Sequence, residues 1–205
     1  DLRMSRGLGD VYKRQLYGGV VPEIASRRHA EYISATVQQA LQDANMAIAD
    51  VDAVARSFGG VEHRIELVRE LHGVKYYNDS IASSPSRTIA GLHSFKQKVI
   101  LIAGGYDKHI PFDVLGPEIC AHVSKLFLGG ATGEKIRQAV VNAPEYEAGK
   151  PEIQDCGDFD HAFYAAVAAA RPGDTVLMSP ASAAFDQFKN FMVRGDHFKK
   201  LVMEL

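Results

Sequence analysis

A short apolar run followed by a glycine pair constrains this chain more than any other stretch. Residues 99–103 read Val-Ile-Leu-Ile-Ala, the pattern of a strand that is buried on both faces in a parallel sheet. Gly104 and Gly105 allow a sharp turn just beyond the strand, at the edge where open α/β sheets bind ligands. Lys108 adds a cation at that edge. The stretch predicts either an anion site for a phosphate or carboxylate, or an ordinary turn with a solvated lysine.

Strands and helices alternate through the rest of the chain. A hairpin is predicted over residues 64–79, and it is followed by predicted helices and strands in turn. The predicted helices cover about 85–95, 112–122, 133–142 and a segment capped by Asp158. The predicted strands cover 99–103, 124–128, 152–155 and 175–178. This alternation predicts an α/β fold, a Rossmann-like and mostly parallel sheet flanked by helices.

Glycines and small polar residues follow several of the predicted strands. We expect these strand ends to gather along one edge of the sheet, and they are Asp79, Gly104-Gly105, Gly129-Gly130 and Ser179. A crowd of small oxygen-bearing side chains from Asn78 to Ser84 precedes Pro85. Such residues can cap a helix and leave free amides for an anion, or they can form a plain capped loop.

The last segment is predicted to hold two helical pieces. Phe185, Phe188 and Met192 fall on one apolar stripe. A second stripe lies beyond Gly195 and begins at Phe198. Aromatic stripes of this kind are typical of core positions, so both pieces are expected to pack on the sheet.

Composition sets the remaining bounds. The chain has 205 residues, of which 46% are hydrophobic and 23% charged, enough for one medium domain with an appendage. A net charge of -2 gives no reason to expect nucleic acid or an acidic membrane as partner. Cys120 and Cys156 lack metal-ligand spacing and suit a reducing compartment. We expect a cytoplasmic monomer with no metal site of its own.

The amino-terminal quarter differs from the rest. Residues 1–15 are polar and basic without a clear period, and we interpret them as a non-native or disordered leader. Residues 16–56 form a second unit, with an extra amphipathic helix predicted over about 29–45. The words YGGVVPEIASRRHAEYI in it resemble the TsaD family of tRNA threonylcarbamoyladenosine transferases over about 16–54. The paired-histidine metal motif of that family is missing, so none of its active site carries over.

Four ordered motifs mark residues 57–205 as a separate domain. They read GGVEHRIELV, GVKYYNDSIASSP, ILIAGGYDK and SPASAAFDQFKNFMVRGDHF. In this order they resemble the carboxyl-terminal domain of Mur ligases of the MurD type. The resemblance implies a Rossmann-like domain that closes over a central ATPase domain. It also implies that the domain presents D-glutamate to an acyl phosphate on UDP-N-acetylmuramoyl-L-alanine during peptidoglycan synthesis.

The resemblance assigns roles residue by residue. It implies nucleotide binding by His63, Arg64, Asn78 and Asp79, with Asp79 contacting the ribose of ATP. It implies D-glutamate binding by Ser83, Lys108, Ser182 and Phe191. A lysine acts in such a site as a point charge toward a carboxylate.

Two positions depart from the pattern of the family. Ile81 stands where many members have lysine, so a phosphate contact from that side chain is absent. Ala184 stands where a serine often contacts D-glutamate, so that contact is lost or comes from backbone or from Ser182.

The chain also lacks the parts that would perform phosphoryl transfer. It has no GxxxxGK[ST] phosphate loop, and the family implies that ATP, Mg²⁺ and the UDP-sugar bind to other domains. We therefore expect a ligase domain that holds no cofactor alone and is inactive in isolation. The alternatives are a TsaD-like transferase fragment, a stand-alone module that binds a nucleotide or acidic metabolite, and a chimeric product with no function as a unit.

Overall fold

Six strands form one sheet in the part of the chain that the structure describes, residues 60–205 of a computed structural model. The strands are β1 (Glu66–Leu71), β2 (Val74–Asn78), β3 (Val99–Ala103), β4 (Val123–Gly129), β5 (Glu152–Gly157) and β6 (Thr175–Met178). Their order across the sheet is β1-β2-β6-β3-β4-β5. β1 runs antiparallel to β2, and every other pairing is parallel. The predicted mostly parallel α/β sheet with a leading hairpin is confirmed.

Five helices cover the two faces of this sheet within residues 60–205. They are α1 (Pro85–Leu92), α2 (Leu115–His122), α3 (Gly133–Val141), α4 (Phe159–Ala169) and α5 (Phe191–Glu204). Leu92, Leu115 and Ile136 place α1, α2 and α3 in one apolar cluster. Phe163 and Phe198 place α4 and α5 in a second cluster on the other face.

The central strand β3 separates these two clusters. Val99, Leu101 and Ala103 belong to the first cluster, while Ile100 and Ile102 belong to the second. All five residues are buried. A strand covered on both faces has no position for a polar side chain, which explains the unbroken apolar run.

Side-chain caps begin two of the helices. The Asp158 carboxylate accepts a hydrogen bond of 2.9 Å from the backbone N–H of His161, which confirms the predicted cap of α4. Asn190 caps α5 in the same way, through a 2.9 Å bond from Val193 N–H.

The prediction of two helical pieces at the end of the chain is wrong. One continuous helix, α5, begins after Asn190 and passes through Gly195 to Glu204. The first apolar stripe is also not a core stripe, because Phe185 is 62% exposed and Met192 is 48% exposed. Only Phe188 packs against the second cluster. Gly195 lies inside this helix, and its missing side chain makes room for the ring of His63.

The start of α2 and the character of the helices are the remaining features of the fold. Helix α2 begins at Leu115, three residues later than predicted, because Asp113 and Val114 form a turn that is closed by a 2.8 Å bond from the Leu115 N–H to the Phe112 oxygen. None of the helices in residues 60–205 combines the length and apolar character needed to span a bilayer. The predicted leader and the predicted helix over 29–45 lie outside the described residues.

Candidate functional site

The loops that follow β2, β3, β4 and β6 meet at the carboxyl edge of the parallel strands. The backbone N–H of Asp79 donates to the Met178 oxygen at 2.8 Å, and that of Gly104 donates to the Pro180 oxygen at 2.9 Å. The N–H of Thr132 donates to the Gly105 oxygen at 3.0 Å. The predicted gathering of strand ends is therefore confirmed, and the loops share one hydrogen-bonded edge.

The glycine pair serves close contact between these loops. Gly104 has a φ of 114°, and a side chain there would overlap the backbone oxygen of Gly129. Gly105 has a φ of 147°, and a side chain there would overlap the backbone oxygen of Ala183. Loop packing thus accounts for both glycines without any bound anion.

Lys108 and Ser83, two of the predicted D-glutamate ligands, lie next to each other at this edge. The ammonium of Lys108 donates to the Ser83 backbone oxygen at 3.2 Å and reaches its hydroxyl at 3.5 Å. Lys108 is exposed and Ser83 is half-buried. Among the described residues no carboxylate pairs with Lys108, so the site presents a cation to solvent.

Asp107 anchors the loop that carries Lys108. Its carboxylate accepts from the Lys135 ammonium at 2.5 Å and from the His109 backbone N–H at 2.7 Å. These two bonds lower the pKa of Asp107 below its ordinary value. The acidic residue beside Lys108 is therefore already paired with α3, and it leaves the Lys108 charge uncompensated.

Ser182 occupies a different environment from Ser83. It is 3% exposed, and its hydroxyl lies 2.8 Å from the hydroxyl of Thr132. Its backbone oxygen accepts a 3.1 Å bond from Arg194. The structure thus places Ser182 beneath the surface that Lys108 and Ser83 share, with its polar atoms engaged inside the protein.

Arg194 is a residue of this edge that the sequence analysis did not select. Its side chain is buried, with 2% of the residue exposed. It donates from Nε to the Ser80 hydroxyl at 3.1 Å, from Nη1 to the Ala183 oxygen at 3.1 Å, and from Nη2 to the oxygens of Ser80 and Ser182 at 2.9 and 3.1 Å. Burial lowers the pKa of Arg194 to about 10.

One signal in the sequence marks Arg194. It precedes Phe198 by four residues and so falls on the buried stripe of α5. A cation on an apolar helix stripe needs buried acceptors, and here the loops after β2 and β6 supply them. Arg194 therefore positions both loops.

Phe191 begins α5 and packs against the start of the described chain. Its backbone oxygen accepts a 2.7 Å bond from the Ser80 hydroxyl. Its ring meets the His63 ring edge to face, with centroids 6.1 Å apart. Through these contacts Phe191 links the predicted substrate turn to the predicted nucleotide-binding residues.

His63 and Asn78 form a buried pair. His63 is 5% exposed, and its Nδ1 accepts a 2.9 Å bond from the side-chain amide of Asn78. The same amide donates to the Glu66 carboxylate at 3.1 Å. Because Nδ1 is an acceptor here, the neutral His63 ring carries its proton on Nε2, which lies 3.8 Å from the Asp196 carboxylate.

Asp79 is also buried, at 3% exposure. Its carboxylate accepts from the Ser179 hydroxyl at 2.7 Å and from the Ile65 backbone N–H at 3.3 Å. Burial raises the pKa of Asp79 from 3.8 to about 6, against the opposing effect of those two bonds. Of the four residues predicted to bind nucleotide, only Arg64 presents its side chain at the surface.

Comparison with known proteins identifies the family. The family described as Mur ligase, glutamate ligase domain, matches residues 63–182. A UDP-N-acetylmuramoylalanine--D-glutamate ligase of Acetivibrio thermocellus is 57% identical over 152 residues, which cover 73% of this chain and 32% of the relative. The ligase of the same name from Clostridium botulinum strain Alaska E43 is 50% identical over 161 residues, covering 78% and 35%. The chain therefore belongs to the Mur ligase family, and it spans about a third of the length of these relatives.

Two other comparisons bear on fold and organisation. The crystal structure of a bifunctional folylpolyglutamate synthase/dihydrofolate synthase from Yersinia pestis has a TM-score of 0.50 and 13% identity. The match covers 70% of this chain and 32% of the synthase chain, and it supports the α/β fold alone. The family described as tRNA N6-adenosine threonylcarbamoyltransferase matches residues 8–59, which confirms the predicted resemblance of the amino-terminal segment. That match includes residues 8–15 of the predicted leader.

Proposed function

We propose that residues 60–205 are the D-glutamate-binding domain of an ATP-dependent ligase that adds D-glutamate to UDP-N-acetylmuramoyl-L-alanine. The observation that carries this proposal is the exposed Lys108 ammonium, 3.2 Å from the Ser83 oxygen and without a carboxylate partner in residues 60–205. A carboxylate of D-glutamate would supply the missing negative charge. With its carboxylate held, the substrate can turn its amine toward the acyl group that it attacks.

The first turn of α1 supports the same anion. Pro85 opens this helix, and the Ser84 side chain forms no capping hydrogen bond. Pro85 has no N–H, and the N–H of Arg87 donates to the Ser84 oxygen at 3.1 Å. Within the described residues the Ser86 N–H is therefore the amide of this turn that is open to an anion, and the positive end of the helix dipole favours one there. Ser83 directly precedes this turn, so one carboxylate can meet the Lys108 ammonium and the Ser83 hydroxyl together.

Nucleotide binding by Asp79 would require a rearrangement of the residues around its carboxylate. The Asp79 carboxylate is bonded to Ser179 and Ile65 and only 3% of the residue is exposed, so in this arrangement it is closed to the hydroxyls of a ribose. The turn over Asp79 contains Ile65 at a φ of 46°, a strained conformation for a β-branched residue. We assign this chain no step of phosphoryl transfer, and we propose that ATP and Mg²⁺ are held by parts of the ligase outside it.

Calorimetric titration of the full chain with D-glutamate, with and without ADP, tests the site. We expect Lys108→Ala to weaken D-glutamate binding by about tenfold or more, since one charge-assisted contact is lost. Lys125→Ala is the matched control, because Lys125 pairs with Glu152 at 2.6 Å on another part of the sheet. Equal affinity in Lys108→Ala and wild type would contradict the site.

A domain exchange tests the activity. Residues 60–205 would replace the aligned third of the Acetivibrio thermocellus relative, and phosphate release would be followed with UDP-N-acetylmuramoyl-L-alanine, ATP and D-glutamate. We expect the hybrid to turn over, and the same hybrid with Lys108→Ala to lose most of its activity. A folded hybrid that binds ATP but never releases phosphate with D-glutamate would overturn the proposed function.

A further inference from the structure

Two histidines and a glutamate meet at the edge of the sheet opposite to Lys108. His93 follows the last residue of α1, and Glu118 and His122 lie one turn apart on α2. α1 starts at the carboxyl edge and runs back across the sheet, and α2 ends where β4 begins. The three side chains therefore lie at the amino edge, away from the proposed substrate site.

The potential ligand atoms of this cluster converge. Nε2 of His93 lies 2.7 Å from Oε2 of Glu118, and Nε2 of His122 lies 3.6 Å from the same oxygen. All three atoms lie within 4.8 Å of one another. Ligands that bind tetrahedral Zn²⁺ at about 2.0–2.1 Å stand roughly 3.4 Å apart, so adjustments on the order of 1 Å would bring these atoms to bonding positions.

Charge and access also favour a cation at this place. Within the described residues Glu118 pairs only with the two histidines, and no ammonium or guanidinium competes for its carboxylate. The side chains of His93, Glu118 and His122 are 52%, 32% and 33% exposed, so an ion can enter from solvent.

A second group of potential metal ligands is already paired with a lysine of the protein. Glu62, His63 and Asp196 also converge, but the ammonium of Lys199 pairs with Glu62 and lies 3.4 Å from Asp196. A cation of the protein itself already satisfies that group. We therefore propose no metal site at this second group.

We propose that His93, Glu118 and His122 bind one Zn²⁺ or a similar late first-row divalent ion and so tie the end of α1 to α2. Two imidazoles and one carboxylate suit such ions, while Mg²⁺ prefers oxygen ligands in an octahedral set. Three protein ligands leave at least one coordination position for water. The site stands on its own residues and does not depend on the proposed ligase function.

Titration of the chelator-treated full chain with Zn²⁺ tests the site, with calorimetry as the measurement. We expect wild type to bind one more ion than Glu118→Gln, or to bind it about tenfold or more tightly, and His93→Ala and His122→Ala to behave like Glu118→Gln. The control is His161→Ala, which removes a histidine paired with Asp158 at 2.8 Å but outside any group of three potential ligands in residues 60–205. It should bind Zn²⁺ like wild type.

Thermal unfolding supplies an independent readout. A site that ties two helices of the folded state raises the midpoint of unfolding as Zn²⁺ concentration increases. We expect this rise in wild type and in His161→Ala, a smaller rise or none in the three cluster variants, and no rise with Mg²⁺. Zn²⁺ binding that is equal in all variants, or absent from wild type, would overturn the proposal.

Discussion

The guanidinium of Arg194 donates from Nη2 to the backbone oxygen of Ser80 at 2.9 Å, and this bond joins the last helix to the loop after β2. The same side chain also holds the oxygens of Ser182 and Ala183 in the loop after β6. Loops at a sheet edge usually vary in position, but these two share one buried donor group. The surface formed by Ser83 and Lys108 thus rests on a layer fixed from below by α5.

Replacement of Arg194 by methionine should be strongly destabilising. Methionine keeps the apolar part of the side chain but leaves the buried oxygens of Ser80 and Ser182 without their donor, while the Ala183 oxygen keeps only its 2.9 Å bond from the Tyr106 N–H. We expect the free energy of unfolding to fall by about 3 kcal/mol or more, as measured by urea denaturation. The control is Arg137→Met on α3, where the exposed arginine lies 3.7 Å from Glu134. Its replacement should lower the free energy of unfolding by only about 0.5 kcal/mol. Similar losses in the two variants would contradict the role assigned to Arg194.

Gly104→Ala tests whether the glycine pair serves loop packing. The new methyl group would overlap the Gly129 backbone oxygen, and both backbones are held in the sheet edge. We expect a loss of about 3 kcal/mol or more in the free energy of unfolding.

The matched control is Gly173→Ala. Gly173 also has a positive φ, 98°, but nothing lies within 4 Å of the position where its Cβ would stand. That variant should lose only about 1 kcal/mol, the cost of the backbone conformation alone. If Gly104→Ala were no worse than Gly173→Ala, close contact with Gly129 would not explain the glycine.

Much of the scaffold could be predicted because it depends on local pattern. The apolar run of β3 predicted a strand buried on both faces, and it lies between two apolar clusters. Asp158 predicted the start of α4, and its side chain caps that helix in the structure. The position of Lys108 beside Ser83 came from family resemblance, since spacing along the chain does not tell which strand ends become neighbours.

The failures arise from tertiary contacts and from turn geometry, which the periodicity of the sequence does not encode. Gly195 suggested a helix break, but the ring of His63 packs against it and the helix continues. Phe185 suggested core, but it lies in a turn rather than in a helix and its ring is exposed. Arg194 lies on a predictable helix face, yet its partners are loop carbonyls whose place only the folded chain defines.

Asp79 should make stability depend on pH. Its pKa is raised to about 6 in the folded protein from an ordinary value of 3.8, so the folded state binds the proton more tightly than the unfolded state. The resulting stabilisation is fully present below about pH 4 and is lost as pH rises through about 6. The shift corresponds to roughly 3 kcal/mol.

Asp79→Asn provides the comparison, because the amide cannot titrate. As pH rises from 4 to 7, we expect the free energy of unfolding of wild type to fall by about 3 kcal/mol relative to that of Asp79→Asn. Urea denaturation at several pH values measures it, and Asp113→Asn, at an exposed position, should show a nearly constant difference. A constant difference for Asp79→Asn as well would contradict the raised pKa.

Asn78→Leu should uncouple His63 from β2. The Asn78 side chain donates to His63 and Glu66, and its oxygen accepts a 3.1 Å bond from the Ser80 backbone N–H. Leucine has a similar volume but meets none of these partners, and the position is fully buried. We expect a loss of about 3 kcal/mol in the free energy of unfolding, while Asn142→Leu at an exposed helix end should change it by about 0.5 kcal/mol or less.

The histidine ring reports the same change directly. In wild type Nδ1 of His63 accepts from Asn78, so ¹⁵N spectra of the neutral ring should show the proton on Nε2. Without the amide donor, Nδ1 lies in a buried site with no partner, and either ring nitrogen can hold the proton. We expect Asn78→Leu to give a mixture of the two neutral forms. An unchanged spectrum combined with unchanged stability would mean that Asn78 does not orient His63.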